Sequence, residues 1–133
     1  MTRYLLVLFL ANWILGCSSE QSFTVEFCDT LTADERCSTD RDQFNIGDSV
    51  FVQLSANLPF DAREITGRIM RLTDEDSKIE LGVRKFNIEP GMSHLTQNLP
   101  FHSFGLQALG TFSIEFSDEN NQLLTKRTLT IEK

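Results

Sequence analysis

The sequence predicts an all-β domain, an antiparallel β-sandwich of seven to eight strands over residues 23–133. Short runs of alternating apolar and polar residues recur along it, each long enough for a single strand. Clusters of Gly, Asn, Asp and Pro separate these runs at steady spacing, as turns between strands do. No stretch in this range shows a convincing helical periodicity.

Phe23, Val25 and Phe27 alternate with Thr24, Glu26 and Cys28, the pattern of a half-buried first strand. A polar loop runs from Cys28 to Cys37, bracketed by the two cysteines. This loop and the residues after it hold Asp29, Asp34, Glu35, Asp40 and Asp42. Calcium needs several oxygens converging from one tight loop, and the spacing lacks the Asp-x-Asp-x-Asp-Gly order of an EF-hand loop. Asp40-Arg41-Asp42 even carries a cation at its centre. A solvated loop is expected, with no metal. Phe44 leads into Ile46-Gly47-Asp48, a turn signal. Val50, Val52, Leu54 and Ala56 then form an inward stripe, with Phe51, Gln53 and Ser55 facing the other way.

Glu64 to Leu72 makes a further strand, with Ile65, Gly67 and Ile69 on one side. Met70 and Leu72 break that parity, which predicts a bulge near Gly67. Asp74-Glu75-Asp76 is an acidic turn. Ile79, Leu81 and Val83 alternate with Lys78, Glu80, Gly82 and Arg84, and Phe86 and Ile88 lead to the Pro90-Gly91 turn. Ser93 to Leu99 sets Leu95, Gln97 and Leu99 on one face, where Gln97 is a poor core residue. His102 to Ala108 is the least patterned part and fits a short helical turn. Phe112, Ile114 and Phe116 alternate with Ser113 and Glu115. Residues 117–122 form a hairpin turn, where Asn tolerates a left-handed backbone. The last strand turns Leu129 and Ile131 inward.

Two segments echo one another. Leu54-Ser-Ala-Asn-Leu-Pro-Phe60 and Leu95-Thr-Gln-Asn-Leu-Pro-Phe101 share five identities in seven positions. Both follow a strand where the chain of a sandwich must cross to the opposite sheet. Pro ends ladder pairing there and Phe plugs the sandwich end.

The run from Gly110 to Asp118, followed by a closing strand, resembles the last hairpin of immunoglobulin-like bacterial domains. The resemblance covers about 25 residues. The buried Trp and inter-sheet disulfide of strict immunoglobulin domains are absent, so a transthyretin-like topology stands beside the immunoglobulin-like one.

The N-terminus is of another kind. Arg3 precedes Tyr4–Leu15, twelve mostly apolar residues, then Gly16 and Cys17. At about 1.5 Å per helical residue this run is far shorter than the ~30 Å hydrocarbon core, so a cleaved targeting peptide fits better than a membrane span. Ile14-Leu15-Gly16-Cys17 resembles the lipobox of bacterial lipoproteins, with an aliphatic residue at minus three and a small one at minus one. The resemblance implies a signal peptide over residues 1–16, cleavage between Gly16 and Cys17, and lipid on the Cys17 thiol. It implies a lipidated tether over 17–22, with the membrane itself as a partner through the anchor. Ser18, in place of an Asp, implies the periplasmic face of the outer membrane under the enterobacterial sorting rule. Of the three cysteines, lipidation of Cys17 leaves Cys28 and Cys37 as an even pair in an oxidising compartment, so a disulfide between them is expected. Closing that loop contributes about 2.5 kcal/mol on the chain-entropy model.

Nineteen acidic residues against twelve basic ones give a formal net charge of −7, and loss of Arg3 with the signal makes the remainder more acidic. Such a chain is repelled by nucleic acid and by anionic lipid, so any membrane attachment must come from the lipid. Trp13 and Tyr4 also leave with the signal, so the core rests on Phe and aliphatic residues. No constellation for catalysis is evident: His94 and His102 lack a nucleophile in a recognisable setting, and no phosphate-binding Gly-rich loop occurs. No enzyme activity and no cofactor are expected. The expected function is a lipid-anchored envelope protein acting as a non-catalytic protein-binding module close to the membrane. The alternative is a small inhibitor or immunity-type protein that blocks a hydrolase. Sandwiches bind through end loops or edge strands. The candidate partner-binding residues are Phe60 and Asp61 in loop 57–64, and Asp118, Glu119 and Asn120 in loop 117–122.

Overall fold

A computed structural model describes residues 20–133 except Glu75 and Asp76, with the side chains of residues 105–107 also left aside. The expected signal peptide 1–16, the expected cleavage between Gly16 and Cys17 and the expected lipidation of Cys17 fall outside the described residues, as does the centre of the acidic 74–76 segment. The described chain forms eight strands: β1 Phe23–Cys28, β2 Gln43–Asn45, β3 Val50–Ala56, β4 Glu64–Leu72, β5 Lys78–Asn87, β6 His94–Leu99, β7 Gly110–Ser117 and β8 Leu123–Glu132. The weakly patterned segment before β7 is a 3₁₀ helix, Phe101–Ala108.

The strands pack as two sheets of unequal width. The small sheet has the order β1-β3-β6 and the large sheet β2-β8-β7-β4-β5. The fold is thus an all-β, immunoglobulin-like sandwich. Its pairings are antiparallel apart from one: β2 runs parallel to β8, with Phe44 opposite Ile131. The chain leaves the small sheet after β1 and joins the large sheet as β2. Three residues are too few to register a period of two, so β2 was invisible as a strand in the sequence.

The inward stripes meet as expected. Val25 and Phe27 of β1, Val52 and Leu54 of β3, and Phe112, Ile114 and Phe116 of β7 are buried together with Leu129 and Ile131. The echoed segments take the structural role anticipated for them. Each links a small-sheet strand to a large-sheet strand. Because β3 and β6 are antiparallel, the two crossings lie at opposite ends. Phe60 stacks with Phe23 at 6.3 Å at one end. Phe101 meets Phe112 edge-on at 4.9 Å at the other.

Two local expectations are corrected. The register break falls at Ile69/Met70 of β4, not at Gly67, and Leu81 of β5 is the residue left without a partner. Ile79, Leu81 and Val83 do not form a core stripe either. Ile79 and Val83 are half exposed, at 51% and 49%. The bulge changes the facing of β5 midway, and β5 is the outermost strand of the wider sheet, so its neighbour on the opposite sheet is missing. Gly82 and Arg84, opposite Ile69 and Gly67, take the inward positions instead, with Phe86 opposite Ile65.

Candidate functional site

The small sheet is covered differently on its outer face, its β1 side and its β6 side. The outer face is covered by the Cys28–Cys37 loop. The two cysteines are joined in a disulfide, with Cα atoms 5.5 Å apart. The loop folds back over the sheet: Cys37 N–H donates to Gln53 Oε1 at 2.7 Å, and Thr96 Oγ1 donates to the Glu35 carbonyl at 2.7 Å. Gln53 therefore faces outward on β3 yet is only 3% exposed, and its amide nitrogen donates to Ser55 Oγ at 2.8 Å. A buried amide needs such partners.

The side of the sandwich along β1 and β8 is closed. Arg127 of β8 crosses from the large sheet, donating to the Val25 carbonyl at 2.8 Å and to Asp40 Oδ1 at 2.6 Å. Its guanidinium lies over the Phe27 ring at 5.1 Å. Asp40 also accepts from Phe27 N–H at 3.0 Å, and Arg41 N–H donates to the Phe27 carbonyl at 2.9 Å. The free edge of β1 is thereby occupied by the chain that leaves it. Partial burial works to raise the Asp40 pKa, but the Arg127 and Phe27 hydrogen bonds and the Arg127 charge outweigh it and hold the carboxyl below the ordinary range. Asp29 pairs with Arg41 at 3.1 Å. Among the described residues no three His, Cys, Asp or Glu side chains converge as a metal site.

The opposite side is open. β1 packs against β8, and at the other side the three-stranded sheet ends in β6 and the five-stranded sheet in β4 and β5. A groove of about 240 Å³ runs between the two edge strands. Its floor is Gly67, Gly82 and Phe86 of the large sheet, and Gln97 and Leu99 of β6 form the opposing wall. The glycines give it depth: a Cβ on Gly67 would stand 3.2 Å from Phe116 and 3.5 Å from Phe86. Arg84 enters the groove with its guanidinium 5.5 Å from the Phe86 ring centre. The two misfits of the inward stripes, Gln97 and Arg84, thus share one place, where inward is not buried. In the sequence only Gln97 stood out, as a poor core residue; Arg84 fell on the polar side of its strand, so the site was not legible there.

The end loops singled out from the sequence do come together. Phe60, Asp61, Asp118, Glu119 and Asn120 line one cleft of about 300 Å³. Much of their chemistry is turned inward. Asp118 Oδ1 accepts from the N–H groups of Asn120 and Gln122, both at 2.9 Å, and Asn121 holds φ at 61°. Gln21 lines the same cleft and donates to the carbonyls of Leu58 and Pro59, while Ser22 N–H donates to Asn57 Oδ1 at 2.8 Å. The N-terminal segment therefore joins the domain at this end. His94 and His102 flank β6 at its two ends. His94 Nδ1 lies 3.3 Å from Arg36 Nη2, and His102 is exposed on the 3₁₀ helix.

No family model matches the sequence, and no curated protein matches it. By fold the chain is an immunoglobulin-like sandwich protein. It is similar in structure to an immunoglobulin-like protein of Pseudomonas aeruginosa, with a TM-score of 0.59 over 88% of this chain and 100% of that one. The two share 10% sequence identity, so the likeness is one of fold and carries no function with it.

Proposed function

We propose that the chain is a lipid-anchored envelope protein, held by Cys17 at the periplasmic face of the outer membrane, that works as a non-catalytic protein-binding module. The observation that carries the reading is the unequal treatment of the two sides of the sandwich: one is closed by Arg127 and Asp40, and the other is left as a groove between free edges. Edge strands are a hazard that proteins normally cover, so an uncovered one beside an apolar groove marks a place for a partner. The anchor sets the direction. Gln21 is fixed to the domain. Cys17 stands four residues before it, a reach of about 14 Å. The loop cleft then looks toward the bilayer and the groove looks sideways, where another envelope protein can approach.

Crosslinking in intact cells tests this. The wild-type chain should trap one dominant envelope protein, and Cys17→Ala should lose both the membrane fraction and the crosslink. A wild-type chain that traps nothing would overturn the proposal. The inhibitor reading keeps one observation in its favour, the gathering of Asp61, Asp118 and Glu119 at one cleft. Tight, salt-sensitive binding to a basic lysozyme-like hydrolase, lost in Asp61→Lys, would select it instead.

A further inference from the structure

The groove has the form of a missing strand. The small sheet stops at β6 while the large sheet continues to β5, and the groove lies between these two edge strands. Building on the binding-module reading above, we propose that β6 accepts an extended segment of the partner protein as a fourth strand. One inward side chain of that segment is a carboxylate that meets Arg84.

The backbone of β6 is ready for this. Ala56 N–H donates to the Ser93 carbonyl at 2.8 Å, which fixes the phase of the ladder. Ser93, Leu95, Gln97 and Leu99 bond to β3, so His94, Thr96 and Asn98 turn their N–H and C=O groups to the free edge. Gln97 Nε2 donates to the Asn98 carbonyl at 3.1 Å, a substitute for the amide an added strand would bring. Among the described residues nothing guards this edge. β6 has no Lys, Arg, Asp, Glu or Pro, and its pairing has no bulge. β5, the edge strand opposite, carries Lys78, Lys85 and the Leu81 bulge, the usual defences against unwanted pairing.

The groove specifies the side chains. An added strand alternates, so every second residue faces Phe86 and the glycine floor and must be apolar. Arg84 sets the exception. Among the described residues its guanidinium makes no ion pair or hydrogen bond, in a chain with seven more acidic than basic residues. A carboxylate on the incoming strand supplies both the charge and the bidentate acceptor that a guanidinium takes. A second copy of this chain fits poorly. β6 has no acid to offer, and two such chains repel through their net charge.

The test uses the full chain in detergent with two ten-residue peptides of alternating Val and Thr, identical except for Glu or Lys at a central inward position. The Glu peptide should slow amide exchange at Thr96 and Asn98 by tenfold or more, on the order expected for new ladder bonds. It should bind at least about tenfold more tightly than the Lys peptide. Arg84→Glu should invert that preference. Asn98→Pro removes an outward N–H and no bond to β3, so it should abolish binding while the melting temperature holds. Equal binding of the two peptides, protection at 117–122 or along β5 only, absence of protection, or a dimer that buries β6 would each overturn strand addition. The crosslink in cells separates the two levels. A partner still trapped by Asn98→Pro sinks the strand and leaves the module, whereas no partner for the wild type sinks the module.

Discussion

Arg127 Nη1 lies 2.6 Å from Asp40 Oδ1, and the pair joins the last strand of the large sheet to the segment that leaves the first strand of the small one. The same nitrogen holds the Val25 carbonyl at 2.8 Å, so the guanidinium ties both sheets at the side that Asp40 and Arg41 close against Phe27. This explains why the chain can change sheets between β1 and β2 without leaving the β1 edge bare.

Asp40→Asn keeps the acceptor for Phe27 N–H and removes the charge. Both side chains are partly exposed, at 43% and 28%, so solvent screens the pair and the expected loss is roughly 0.5–1 kcal/mol at neutral pH. The folded carboxyl sits below the unfolded value of 3.8. Its contribution is therefore complete above that pH and disappears as the pH falls through the folded value. Urea denaturation at pH 7 and again below pH 3.8 should show the gap between wild type and Asp40→Asn closing in acid. A gap that stays constant would mean that the charge contributes nothing.

Gln53 and the disulfide act on the same loop. Gln53→Leu leaves Cys37 N–H without its acceptor beneath the loop, an expected loss of about 1–2 kcal/mol. Replacing Cys28 and Cys37 by Ser should remove about 2.5 kcal/mol. Because Gln53 matters only while the loop lies over β3, the combined variant should lose less than the sum of the two. Denaturation of the three variants measures this directly, and strict additivity would show that the loop stays in place without its bridge.

How much of this was legible beforehand depends on whether burial follows alternation. For β1, β3, β7 and β8 it does, since both sheets are present there, and the stripes named the core. The disulfide was expected as the even pair left once Cys17 is set aside, and the two Phe plugs followed from the repeated Leu-Pro-Phe. Where the sheets stop matching, the alternation lost its meaning. Ile79 and Val83 look like core residues and are half exposed, while Arg84 looks like a surface residue and faces inward. Gln53 errs the other way, because a loop distant in sequence buries it. The groove is a property of unequal sheet widths, which no local window contains. The end loops were found because turn chemistry is local.

Gly67 and Gly82 face the same groove and should respond oppositely to alanine. A Cβ at Gly67 meets the buried Phe116 ring at 3.2 Å, so that ring must give way, while Phe86 at 3.5 Å is in ordinary contact, and Gly67→Ala should cost about 1–2 kcal/mol. A Cβ at Gly82 meets only Ile69 Cδ1, at 3.8 Å. Gly82→Ala removes backbone freedom from a strand at no steric cost and should be neutral or stabilising by up to about 1 kcal/mol. Thermal melts of both decide it. If the two variants melt alike, the groove is not the one described.

Phe60 and Phe101 occupy equivalent places in the echoed segments but are not equally enclosed. Phe101 is 4% exposed and packs against both Phe104 and Phe112, at 5.9 and 4.9 Å. Phe60 is 9% exposed, stacks on Phe23 at 6.3 Å, and lies at the end where Gln21 is bonded to the domain. Phe101→Ala should therefore cost about 3–5 kcal/mol, with Phe60→Ala below that range because its site is shallower and can collapse onto Phe23. Phe60→Leu should recover most of its loss, since a stacked ring at an open end contributes area more than shape, whereas Phe101→Leu should not, because an edge-on partner needs the ring. Denaturant midpoints for the four variants measure the order. Equal losses at the two ends would show that the Phe60 end is as closed as the other.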